Sequence, residues 1–173
     1  MLSTTAIAFY SAFAGGAYAG ALRGETFGEK SEFAKSEAAK ELKKLHEKEL
    51  PNVKFSPGGY PDMGHGLYAH KLPYAAWYKF ASGQRAHYNL VENLPMVLTL
   101  HALAGVYFPR AAAINALVWI GARHIWSQNY IKRGPENRYD GIAVLHQLST
   151  VGWLGMAIAG GLKLSGLIST SAF

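Results

Sequence analysis

Four apolar runs, each of about twenty residues, constrain this chain more than any other feature, because that is the length an α-helix needs to cross a hydrocarbon core. They occupy residues 2–22, 88–108, 111 to about 130, and 141 to about 164. Inside a bilayer no water satisfies the peptide groups, so a spanning segment must close its own hydrogen bonds as a helix. The expected fold is therefore an all-α integral membrane protein, a bundle of four transmembrane helices. At 173 residues the chain suffices for one domain. It divides into a first span (1–22), an extended charged connection (23–79), three further spans (80–166) and a tail (167–173). Half the residues are apolar, and most of the charge falls between Arg23 and Arg85, which excludes an ordinary soluble domain.

The net charge of +6 is not the mark of a nucleic-acid binder, because the basic residues sit in the connections between apolar runs. The first and third connections hold nearly all of them, against Arg110 alone in the second. By the positive-inside rule, both termini and the Pro109-Arg110 turn face away from the cytosol or its equivalent. With no cysteine, the chain has no disulfide, thiolate metal site or nucleophilic cysteine of its own. His65 and His70, five apart in a Gly/Pro-rich stretch, read as surface histidines, and no metal site is expected. The first run begins at Leu2 without a basic residue ahead of it, so it reads as a retained anchor.

Between Arg23 and about Val53 the pattern changes. Thr26 and Glu29 have capping-box spacing, and Glu32/Lys35, Glu37/Lys40 and Glu41/Lys44 are opposite charges three apart. With only Phe33, Leu42 and Leu45 as an apolar stripe, this predicts a solvated charged helix, ended by Pro51. Residues 57–79 read as a loop to the membrane surface, with Trp77 and Tyr78 at the interface. Gly134, Pro135 and Glu136 mark the loop between the third and fourth spans, and Gly16 and Gly20 have the spacing that lets helices approach in lipid.

Charge inside the spans points to a site. Arg85, Asn89 and Glu92 fall at i, i+4 and i+7 near the cytosolic end of the second span, and Arg123, Ser127 and Tyr130 repeat that spacing in the third. A charge well inside the bilayer costs about 2.5–3.5 kcal/mol on insertion scales, so such residues pair, face another helix or meet a ligand. Glu92 paired with Arg85 or Arg123 would hold helices together. Two clusters at one depth, with Arg138 in the adjoining loop, favour a polar ligand site instead. Several arginines and one carboxylate suit a zwitterion richer in carboxylates than in amines, and glutathione has that composition.

The stretch Arg85-Ala86-His87-Tyr88-Asn89-Leu90-Val91-Glu92-Asn93-Leu94-Pro95, followed by Gly105-Val106-Tyr107-Phe108-Pro109-Arg110, carries a resemblance. It resembles the second helix of the microsomal glutathione S-transferase 3 branch of the membrane-associated proteins in eicosanoid and glutathione metabolism (MAPEG). Tyr60-Pro61-Asp62-Met63 and the stretch from Gly121-Ala122-Arg123 through Tyr130 to Gly141 continue it, so that it covers about residues 60–166. The resemblance implies a homotrimer that binds glutathione as co-substrate between protomers, in the endoplasmic reticulum or the mitochondrial membrane. Arg85, His87, Asn89, Glu92 and Asn93 would line that site from the second helix, and Arg123, Trp126 and Tyr130 from the third. Arg138 falls where the branch has its thiolate-activating arginine; the leukotriene synthase branch would place that group at Asn137. The thiolate would attack an apolar electrophile or reduce a lipid hydroperoxide delivered by membrane lipid. Asn93 and Trp126 replace two tyrosines of the leukotriene synthase branch, and the first connection is longer than the family's. Those departures suit a second reading, an accessory subunit of a larger membrane assembly such as a mitochondrial respiratory complex. A third is a scaffold presenting lipid to a partner enzyme.

Overall fold

The structure, a computed structural model, describes residues 2–167; residues 168–173 of the expected tail lie outside them. Helices and turns make up the described residues, without strands. Helix α1 (Leu2–Phe9) runs through a wider π-helical turn (Tyr10–Gly15) into α2 (Gly16–Phe27). The charged connection holds α3 (Glu32–Lys35) and α4 (Glu37–Glu49), and α5 (Tyr74–Tyr107), α6 (Pro109–Arg133) and α7 (Leu145–Leu164) follow. Short 3-10 turns lie at Ala69–Lys71, Pro135–Asn137 and Gly141–Val144. The chain forms two compact units, residues 2–14 with 89–167, and residues 15–88.

The first unit is built around one apolar seam. Ile7, Leu90, Val97, Ala104, Ala112, Ala116, Trp119 and Trp153 form its buried core, drawn from α1, α5, α6 and α7. Alanines at 112 and 116 let α6 approach its neighbours, and the indole of Trp153 fills the space while donating to the Ala112 carbonyl at 3.2 Å. A Cβ at Gly160 would stand 2.6 Å from the Tyr107 ring, so α7 packs there only as glycine. Pro109 opens α6 at its first position, where the missing N–H costs nothing, leaving Phe108 alone between the two helices.

The polarity of this unit is inverted relative to a water-soluble fold. Val106 is 71% exposed, and Ile114, Leu117, Leu148, Val151 and Ile158 are exposed with it, while His101, Arg123, His146 and Ser149 are buried. Lipid solvates the former without cost and penalises the latter, which is the arrangement of a membrane protein. Helix α5 and the stretch Gly141–Leu164 are long and apolar enough to span a membrane. The other two runs of the expected four fall short of that measure. The π turn interrupts the first, where Ser11 Oγ donates back to the Ile7 carbonyl at 2.8 Å. Helix α6 has the length but carries Arg110, Asn115, Arg123, His124, Gln128 and Asn129. Of the Gly16/Gly20 pair, Gly16 faces the His87 ring, 3.9 Å from an added Cβ, while Gly20 has no neighbour within 4 Å of one.

The second unit gathers Phe27, Phe33, Leu42 and Phe80, with Tyr68 and Leu72 against them. The Phe27 ring meets Phe33 and Phe80 edge-on at 5.1 and 4.9 Å. Gly59, at φ +70, passes so close that a Cβ would stand 2.7 Å from that ring. Three expectations change here. Arg23, expected to begin the solvated connection, is buried inside α2 and donates to the carbonyls of Asp62 at 2.6 Å and Gly58 at 3.3 Å. Thr26 is not a cap: its hydroxyl donates to the Leu22 carbonyl within α2, and the caps are Ser31 and Ser36, which accept from Ala34 and Ala39 N–H. The charged segment is consequently two helices rather than one. Helix α5 also begins at Tyr74, inside the expected loop, where the Trp77 indole donates to the Gly64 carbonyl at 2.9 Å.

Candidate polar ligand site

Helix α6 buries Ala112, Ala116, Trp119, Ala122, Arg123 and Trp126, a stripe at three- and four-residue spacing that turns Arg123 inward with the core. The residue is 2% exposed. Its Nη2 donates to Asn89 Oδ1 on α5 at 2.7 Å, and Asn93 Nδ2 donates to the Asn89 carbonyl at 2.7 Å. Its Cζ lies 3.9 Å above the Trp126 ring, a cation–π contact made stronger by desolvation. Trp126 stacks on Tyr130 at 5.2 Å and meets His146 at 5.9 Å, and His146 in turn stacks on Tyr139. Arg123 Nε has no hydrogen-bond partner. A cavity of about 120 Å³ opens beside it, walled by Asn89, Asn93, Tyr139, His146, Gln147 and Thr150.

Of the residues singled out in the sequence, the first unit brings Asn89, Asn93, Arg123, Trp126 and Tyr130 together. Glu92 lies on the exposed side of α5, and Arg123 meets Asn89. Arg138, half-buried in the connection after α6, donates from Nη1 to the Pro135 carbonyl at 2.5 Å, with its Cζ 5.0 Å from the Tyr139 ring. Asn137 is taken up by the helix end, its amide donating to the Arg133 carbonyl at 2.6 Å. Arg85 and His87 belong to the second unit. There Arg85 is exposed, and His87 is half-buried with Nδ1 enclosed and without a partner.

Four polar wall residues were not anticipated: Tyr139, His146, Gln147 and Thr150. His146 had a readable signal, since His146, Ser149, Trp153 and Gly160 form the buried stripe of α7, and a histidine on such a stripe within an apolar run stands out as Arg123 does. Tyr139 sits in a connection, where periodicity gives no guide. The Gln147 amide, donating to its oxygen at 3.3 Å, holds its phenol below the ordinary value against the opposing effect of burial, and the adjacent Arg138 charge adds to the lowering. A buried guanidinium with an amide, a phenol and a ring of stacked aromatics around it can bind an anionic oxygen or sulfur and exclude water from it.

The profile of the MAPEG family matches residues 50–159. No solved structure matches the chain. The matched stretch takes in α5, α6, most of α7 and every wall residue of the cavity beside Arg123. Since it covers more than half of the 173 residues and its helices carry an apolar exterior over a polar seam, the chain belongs to the MAPEG family of membrane proteins.

Proposed function

We propose that this protein is a glutathione transferase of the microsomal glutathione S-transferase 3 type, acting on apolar electrophiles and reducing lipid hydroperoxides within the membrane. It works as a homotrimer whose four helical runs all cross the bilayer, in the endoplasmic reticulum or the mitochondrial membrane. The observation that supports this reading best is the buried Arg123–Asn89 contact, which joins the two helices that carry the charged clusters. MAPEG proteins include glutathione transferases, and such a pair has no place in an inert span.

In this mechanism Arg85, His87, Asn89 and Asn93 bind the carboxylates and backbone of glutathione together with Arg123, Trp126 and Tyr130, and Glu92 accepts its ammonium group. Arg138 activates the thiol. A free thiol has a pKa of about 8.5, so only a few per cent is thiolate at neutral pH. A guanidinium beside it lowers such a value by about 1–3 units. The thiol proton goes to solvent, and the thiolate then forms a carbon–sulfur bond with the electrophile as the leaving group departs. On a hydroperoxide it cleaves the O–O bond, and a second glutathione completes the reduction to alcohol and water with release of the disulfide.

Calorimetric titration of glutathione into the detergent-purified protein tests this. Binding should be lost in Arg85→Ala and retained in Arg138→Ala, with the thiolate absorbance of the complex missing from the latter. A parent protein that binds no glutathione at millimolar concentration overturns the reading. The second reading, an accessory subunit of a larger membrane assembly, then takes its place. The charged helices α3 and α4 favour that alternative, since none of their residues has a task in thiol chemistry. Gentle solubilisation and native sizing separate the two, because a transferase migrates as a trimer alone.

A further inference from the structure

The hydroperoxide step leaves one proton unassigned. The thiol has already released its own to solvent, and the alkoxide that departs when the O–O bond breaks is a strong base that needs one. An aryl chloride makes no such demand, because chloride leaves as a stable anion. Tyr139 has the position and the partners for that transfer. It borders the cavity beside Arg123 and directly follows Arg138, whose Cζ lies 5.0 Å from its ring centroid. Its oxygen accepts from the Gln147 amide at 3.3 Å, which leaves the O–H to donate elsewhere. The ring lies parallel to that of His146, at 2° and 5.9 Å, and this stacking fixes the direction of the hydroxyl. At 39% exposure the residue also reaches water.

We propose that Tyr139 is the proton donor to the departing oxygen, which makes hydroperoxides, rather than electrophiles that lose a halide, the substrates this site serves best. The inference rests on the transferase reading, with Arg138 as the activator of the thiol. The thiolate sulfur bonds to the terminal oxygen of the hydroperoxide, the O–O bond breaks, and its electron pair leaves on the alkoxide oxygen. That oxygen takes the Tyr139 proton and becomes the alcohol. The sulfur is left as a sulfenic acid, which the second glutathione converts to disulfide and water. Arg138 and the Gln147 amide stabilise the phenolate until water returns its proton, and the same two groups, Gln147 foremost, hold the phenol below its ordinary value beforehand.

The test compares kcat of the detergent-purified protein on cumene hydroperoxide and on chlorodinitrobenzene, each with glutathione. Tyr139→Phe keeps the ring against His146 and lowers kcat for the hydroperoxide about a hundredfold, with a far smaller fall for the aryl chloride. The pH profile supplies a second signature. The charged or titratable groups facing the phenol are Arg138 on its own connection, Arg123 from α6 and His146 from α7. A donor must hold its proton, so hydroperoxide turnover falls as the pH rises through the Tyr139 ionisation. Gln147→Leu, at an exposed position, removes the bond that lowers this ionisation and moves the falling limb to higher pH. Equal losses on the two substrates, or an undiminished hydroperoxide rate in Tyr139→Phe, overturn the proposal and leave the transferase reading standing. So does a parent protein that conjugates the aryl chloride but reduces no hydroperoxide. A parent that binds no glutathione in the calorimetric titration overturns both.

Discussion

Asp62 accepts three backbone N–H groups, from Gly64 at 2.8 Å, Gly66 at 2.9 Å and Ala69 at 2.7 Å, while its own carbonyl receives the Arg23 guanidinium. Burial alone would raise this carboxyl, but the converging N–H dipoles together outweigh it and hold the group below its ordinary value. A carboxyl lowered on folding contributes stability that is present above the unfolded value of about 3.9 and is lost as the pH falls through the folded one. Asp62→Asn should therefore destabilise the second unit by about 1–3 kcal/mol at neutral pH and abolish that acid dependence. Trp77, whose indole bonds the Gly64 carbonyl of the same loop, provides the fluorescence signal, and an unchanged acid midpoint in the variant would contradict the assignment. Residue-scale roles were legible where a polar group interrupts an apolar run, as Arg123 does. They were not legible at Asp62 or Tyr139, because partners supplied by loop backbone, or by the first turns of another helix, leave no periodic trace in the sequence.

Helices announced themselves by length and apolarity, and their ends were misread for a common reason. The capping-box pattern selected Thr26 because Glu29 follows it at the right spacing, yet the working caps, Ser31 and Ser36, have alanine at the third position. Ser36 also closes α3, its hydroxyl donating to the Phe33 carbonyl at 2.7 Å while accepting from Ala39. Two helix ends on one hydroxyl make Ser36→Ala the more damaging of the two cap substitutions, with an expected loss of about 1–2 kcal/mol. Amide hydrogen exchange checks it: protection should fall through the first turns of α4, with the α6 amides unchanged. Equal loss from Ser31→Ala would mean that the shared end carries no extra weight. The early start of α5 has a similar origin, since Tyr74, Trp77 and Tyr78 are amphipathic residues that mark an interface without lengthening an apolar run.

At the scale of the whole molecule, the four-span proposal stands or falls on α6. Its inward stripe carries Arg123, and further polar residues lower its average apolarity, while Ile114, Leu117 and Val118 remain on the outside. A helix can cross lipid with such an interior provided its polar side chains are enclosed by neighbours, and Arg123 is enclosed. The chain has no cysteine, so a single introduced thiol can be labelled without background. Arg110 at the start of α6 and Glu136 just beyond its end are both exposed and suited to that substitution. If α6 crosses, Arg110→Cys and Glu136→Cys in sealed, oriented vesicles react with a membrane-impermeant maleimide from opposite faces. Labelling of both from one face would leave α6 in the interface and reduce the spans around it. Arg123 would then lie at the water boundary, where the cost of an intramembrane charge, the reason to read it as part of a ligand site, no longer applies.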